Sequence, residues 1–358
     1  MENFERTKKY AEAFWEQEMI DRPYTVVTAP KKGREGDFIA GSILYWPQPS
    51  LEACETGNYE RVFSAAAGFI DATYYAGEAL PCYQATLGPD EYAAFLGCSI
   101  HGEEGYVTTW ADPIVKDWDD FTVKIHKDAE SYYRKMEKYL AASADFGKDL
   151  FLVSMLDLHS NLDAMSALRG PQDLCFDMMD YPEQIERALN EINDTYEDIY
   201  NMVYKAGRMA EQGTMGWSPI YCEDRSAVIQ CDFACMISPE QSRKYLIPSL
   251  VREASFLDHS VYHYDGKDAL RHIDDILAIE EIDCIQWIAG AGQPRTLEWM
   301  DLLKKIQSAG KSLWIFDWTA EEIKAHYKEL EPNKVAFSLS VGSQDEADEL
   351  LEYLEKNT

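Results

Sequence analysis

The sequence predicts an α/β protein, a (β/α)₈ TIM barrel with an N-terminal helical and hairpin extension. Three observations carry this. Short apolar runs rich in Val, Ile and aromatic residues alternate with amphipathic segments over the second half of the chain. Helix-start signals stand a few residues after several of those runs. No Gly-rich dinucleotide fingerprint supports the competing doubly wound sheet.

The strand candidates are residues 150–158, 214–217, 227–233, 260–264, 284–288, 313–316 and 335–339. Ser238-Pro239-Glu240-Gln241 reads as a capping box with Pro at the first helical position, and Thr319 with Glu322 and Ser343 with Glu346 repeat the signal. Ahead of them, a helix over residues 3–19, a strand-like run Tyr24 to Thr28, a basic turn Lys31 to Arg34 and a second run Phe38 to Trp46 read as a cap. The expected division is an extension over residues 1–60 and a barrel over residues 61–358.

Composition excludes some functions. The 358 residues hold 33 basic and 64 acidic side chains, a net charge of −31. Such a surface repels nucleic-acid backbones and anionic lipid, so neither is an expected partner. No apolar run is long enough to span a bilayer and the start lacks an apolar signal core, so a cytoplasmic location is expected. The eight Cys are scattered, and Cys231 with Cys235 read as strand and turn residues rather than metal ligands.

A barrel gathers its chemistry at the C-terminal ends of its strands. Three predicted strands end in polar pairs two residues apart: Asp157 with His159, Gln230 with Asp232, and His263 with Asp265. Strand side chains alternate, so each pair projects to one side, and six polar groups would converge on one cavity. Trp217 with Tyr221, Gln286 with Trp287, and Asp317 with Trp318 end other strands. Together they suggest an aromatic pocket with few polar contacts. His263, Asp265 and Asp232 are the catalytic candidates. Asp157, His159, Trp217, Tyr221, Gln230, Gln286, Trp287 and Asp317 are the substrate-binding candidates, and His263 with Asp265 the metal candidates.

Several stretches resemble the uroporphyrinogen decarboxylase-like superfamily and its cobalamin-linked methyltransferase branch. They are Leu87-Gly88-Pro89, Thr109 to Pro113, Leu168-Arg169-Gly170, Asp180-Tyr181-Pro182-Glu183, Gln230-Cys231-Asp232-Phe233, Tyr262 to Gly266 and Ile285 to Gly290. The resemblance implies a barrel, a homodimer, and methyl transfer between a small methylated donor or acceptor and a corrinoid, free or on a partner protein. It also implies zinc. The departures are specific. The early Arg-rich string of true decarboxylases is missing, and the His-x-Cys zinc pair reads His263-Tyr264-Asp265, with no Cys in the last strand. Two alternatives remain: a carboxy-lyase on a small substrate, with Arg169, Arg271 or Arg295 as its cation, and a non-catalytic corrinoid- or ligand-binding barrel.

Overall fold

A computed structural model describes residues 3–41, 47–102 and 108–358, with the side chains of 39–41 left out. A seven-stranded sheet organises the chain. Its strands are β1 (Tyr24–Pro30), β2 (Thr73–Gly77), β5 (Ser226–Gln230), β6 (His259–Asp265), β7 (Cys284–Ile288), β8 (Ser312–Ile315) and β9 (Val335–Ser340). The order is β2-β1-β9-β8-β7-β6-β5, parallel throughout except where β2 runs against β1. Two further strands, β3 (Cys82–Tyr83) and β4 (Leu152–Val153), form a separate parallel pair.

Among the described residues a second short pair joins Ile100–His101 to Trp110–Ala111, and the ladders form one mostly parallel sheet and these two pairs without closing into the ring expected from the sequence. Main-chain bonds carry the pair one step further, from Met155 N–H to the Met215 carbonyl at 2.7 Å. Residues 214–217, expected as a strand, contribute one antiparallel bridge, Thr214 to Cys222. The expected strand over 227–233 ends at Gln230, and Asp232–Met236 is a 3₁₀ turn.

The first segment is woven into the sheet: β1 pairs with both β2 and β9. The run expected as a second strand from Phe38 begins inside a helix, Glu35–Gly41, and its remainder, 42–46, lies outside the described residues. The capping boxes at Ser238 and Thr319 form as expected, and the Ser343 hydroxyl accepts from the Glu346 N–H.

Alternation along the strands builds two cores. Ile229, Tyr262, Tyr264, Ile285, Trp287 and Phe337 face the surrounding helices, with Ile192, Leu250 and Leu303 among their neighbours. The opposite faces supply Val26, Val228, Val261, Cys284, Trp314 and Ala336, which pack with Tyr10, Phe14 and Trp15 of the helix Phe4–Trp15. Both faces are buried, which is why these strands read as apolar runs. The few polar residues among them stand out for the same reason: Gln230, His263 and Gln286 share the face of Val228, Val261 and Cys284, two residues further along. No helix among the described residues is long and apolar enough to cross a membrane.

Candidate functional site

Register aligns the site. Gln230 lies opposite His263 across the β5–β6 ladder, and His263 opposite Gln286 across β6–β7. All three stand at or near the C-terminal ends of parallel strands, where open α/β sheets bind ligands.

Asp157, in the loop after β4, is the hub. Its Oδ1 accepts from Trp217 Nε1–H at 2.9 Å and Gln230 Nε2–H at 2.6 Å, and its Oδ2 lies 3.3 Å from His159 Nε2. His159 Nδ1 lies 3.5 Å from Asp163 Oδ2. Asp163 in turn accepts the backbone N–H groups of Asp232 and Phe233, both at 2.9 Å, which fixes the turn after β5. Burial opposes ionisation of Asp157, but His159 and His263 with the Trp217 N–H outweigh it and hold the carboxyl below its usual value. Burial likewise opposes charging His159, and Asp157 with Asp163 overcome it, raising the imidazole well above its ordinary value.

Asp232 links this network to a second one. It lies within 4.8 Å, ligand atom to ligand atom, of His159 and Asp163 on one side and of His263 and Asp265 on the other. The two groups differ in what they have left to offer. His159 and Asp163 are already engaged by one another, Asp157 and the backbone. His263 uses Nδ1 on Gln286 Oε1 at 2.5 Å, and because an amide oxygen can only accept, Nδ1 is the donor of this pair and Nε2 is the nitrogen left to face a ligand. Asp265 Oδ1 is buried without a protein partner. Gly266 turns the chain directly after it, at φ +84°, where an added Cβ would stand 2.8 Å from Cys235 Sγ. Burial, then Asp163, push Asp232 up to about 6, with Asp265 adding to the rise and both histidines opposing it. Asp232 is itself exposed, and a carboxyl so perturbed beside two histidines is a candidate functional group.

Trp217 separates this cluster from a cavity of about 430 Å³, lined by Thr28, Trp314, Phe316, Ser338 and Ser340 among others. A second lobe of about 300 Å³ adds Gln84 and Met215, with Val26, Thr28, Trp217 and Pro219 common to both. The Trp217 ring meets His263 edge-on at 5.1 Å.

The structure thus brings together Asp157, His159, Gln230, Asp232, His263, Asp265, Gln286 and Trp217. Three other candidates lie elsewhere. Tyr221 follows the reversal at Ser218-Pro219 and packs on Phe4 at 5.5 Å, with its hydroxyl on the Gln212 carbonyl. Trp287 faces outward, next to Tyr264 and Trp299, because its neighbour Gln286 faces in. Asp317 Oδ2 accepts the Thr296 N–H. The three candidate arginines are held by partners of their own: Arg169 by Asp177, Arg271 by the Asp268 carbonyl, and Arg295 by Glu322. Cys231 is buried and Cys235 half-buried, both free thiols.

Sequence reasoning missed the layer behind the loop. Asn161 adopts φ +45°, which Asn tolerates better than most residues. Its amide donates to the Gln230 carbonyl at 2.9 Å and to Glu253 Oε1 at 3.1 Å, and Ser160 donates to the same oxygen at 2.7 Å. Burial pushes Glu253 up to about 7 and Glu91 up to about 8. The folded chain therefore keeps a proton on Glu253 that the unfolded chain loses above 4.5. Stability from this group is full below that value and falls as pH rises towards 7. Glu253→Gln should stabilise the protein at pH 8 by on the order of 2 to 3 kcal/mol, with no gain at pH 4. Thermal melts at the two pH values check this, and an equal effect at both would contradict it.

Comparison with protein-family models and with curated sequences gives no match. Among solved structures, a methyltransferase from Methanosarcina mazei matches 98% of this chain and 98% of its own, with a TM-score of 0.61 at 12% identity. At that identity the match is one of architecture, and its 98% coverage means that it is not confined to one part of the chain.

Proposed function

We propose that the chain is a methyltransferase that moves a methyl group from a small methylated donor to a corrinoid, the corrinoid arriving free or on a partner protein. The observation that carries this is the open donor set of His263, Asp265 and Asp232 beside an aromatic cavity, and the full-length likeness to a methyltransferase supports it. The incomplete ring of strands is read as a barrel of this kind with two unpaired seams.

The three residues suit a divalent ion. They offer one nitrogen and two carboxylates, and Asp265 has a buried oxygen with no protein partner. Zinc accepts such a set with a fourth position left open, and the lack of sulfur favours harder ions as well. When bound, the ion would act as a Lewis acid towards the electron pair released on the leaving atom as its bond to the methyl group breaks. Asp232 must release its proton to serve as a ligand, so ion affinity should fall as pH drops below about 6. Gln286 fixes the His263 tautomer, Asp157 holds Trp217 as a wall, and Trp217 seats the donor against the cluster. Among the described residues neither lobe of the cavity is lined by Lys or Arg, which favours methyl transfer over the carboxy-lyase reading.

The test is anaerobic. Zinc-loaded protein and cob(I)alamin are offered methylated amines, methyl ethers and thioethers in separate cuvettes. Protein-dependent appearance of the methylcob(III)alamin spectrum with one class is the expected result. A spectrum that stays cob(I)alamin with all three would overturn the proposal.

A further inference from the structure

We propose that the cavity beside the acidic cluster binds a methylated ammonium ion. This deepens the methyltransferase reading and rests on it for turnover alone, since the binding argument comes from the walls.

Two indoles and a phenyl ring form one corner. The Trp217 and Trp314 centroids are 5.1 Å apart with their planes at 56°, and Trp314 and Phe316 are 5.8 Å apart at 44°. Both indoles are held by their N–H groups. Trp314 donates to Ser338 Oγ at 2.8 Å, and Trp217 donates to Asp157 at 2.9 Å. The second bond matters most, because a carboxylate accepting the indole proton pushes electron density into the ring. Its face becomes a better partner for a cation.

The rest of the lining selects against other ligands. Among the described residues no Lys, Arg or His lines either lobe, so an anion finds no cationic partner among them. Polar groups are few, and the Thr28 and Ser340 hydroxyls bond to each other at 2.7 Å. A primary ammonium would give up water for too few acceptors. A quaternary or tertiary methylammonium has little hydration to lose and apolar methyl groups to bury. Beyond Trp217 stand four carboxyl groups, Asp157, Asp163, Asp232 and Asp265, which outnumber His159 and His263 among them, and the chain as a whole carries −31 charges, so the field draws cations inward.

Such a donor also suits methyl transfer. The C–N bond breaks with its electron pair on nitrogen, the amine leaves neutral, and the methyl carbon bonds to the lone pair of the reduced corrinoid. A quaternary donor needs no proton at the leaving atom.

Choline and its neutral isostere 3,3-dimethylbutan-1-ol separate charge from shape. Calorimetric titration of the full chain should show choline binding about tenfold tighter or more. Trp314→Leu, and independently Phe316→Leu at the solvent-exposed rim, should reduce that preference while circular dichroism shows both variants folded. Equal binding of the two ligands, no saturable choline binding, or a preference untouched by both variants would overturn the proposal. Choline preference without methylcobalamin formation from any donor would sink methyl transfer and leave the site standing. Methyl transfer from an ether without choline preference would do the reverse.

Discussion

Asp157→Ala should cost about 3 kcal/mol of stability and about a hundredfold in methyl-transfer rate, the larger stability effect of any single change at the site. Breaking a buried pair leaves the partner's charge uncompensated. Here the partner is His159, raised well above its ordinary value and 9% exposed. The loss falls at the low end of the usual range because Asp163 remains 3.5 Å from the same ring. The rate falls for a different reason: Trp217 and Gln230 both lose their acceptor, and the ring proposed to seat the donor is freed.

The stability difference also has a pH signature. The depressed Asp157 stabilises the fold above its unfolded value near 4, and that contribution is lost as pH falls through the lower folded value. The raised His159 stabilises the fold fully below its unfolded value near 6.5, and that contribution is lost as pH rises through the higher folded value. Wild type and variant should therefore differ most between about pH 4 and 6.5, converging on either side. Asp157→Asn keeps an acceptor for Trp217 without the charge, so it should recover rate more than stability. Denaturant melts across this range with parallel rate measurements decide the matter, and a difference that does not vary with pH would exclude the ion pair as its source.

How much of this was legible in the sequence depends on what a periodicity can say. His263 and Asp265 came out on one face because both lie within a strand, where alternation holds, whereas Asp232 reaches them from the first residue of the 3₁₀ turn beyond Gln230. Asp157 and His159 reached the same cavity by another route, as loop residues beyond a two-residue strand. Alternation could also have separated Gln286 from Trp287, since adjacent strand residues cannot both face inward. It could have linked Trp314 to Phe316 and Ser338 to Ser340 as same-face pairs. Tyr221 was beyond its reach, because a chain reversal at Ser218-Pro219 sends it to the N-terminal helix. Asp163, Asn161 and Glu253 act through backbone groups and one another across long separations, and no local pattern announces such contacts. The break between the sheet and the β3–β4 pair is likewise a property of ladder geometry, not of residue pattern.

His263→Ala should abolish stoichiometric metal binding and lower methyl transfer by about a thousandfold, since a Lewis acid at the reacting atom supplies several kcal/mol. His263 brings the one nitrogen to the open donor set, and without it Asp265 and Asp232 would remain as two carboxylates. Gln286→Leu tests the same centre one step back. It removes the acceptor that keeps the proton on Nδ1, and losing such a partner costs about 10- to 100-fold in metal affinity. The two variants should therefore rank in order, with Gln286→Leu rescued by excess zinc and His263→Ala not. Metal content after dialysis and the rate of methylcob(III)alamin formation give both readouts. A His263→Ala protein that retains zinc would move the centre to the His159 and Asp163 side of Asp232. Wild-type protein that transfers methyl groups at full rate without any ion would instead leave His263 and Asp232 to do their work through protons, with Asp232 titrating near pH 6 in the rate profile.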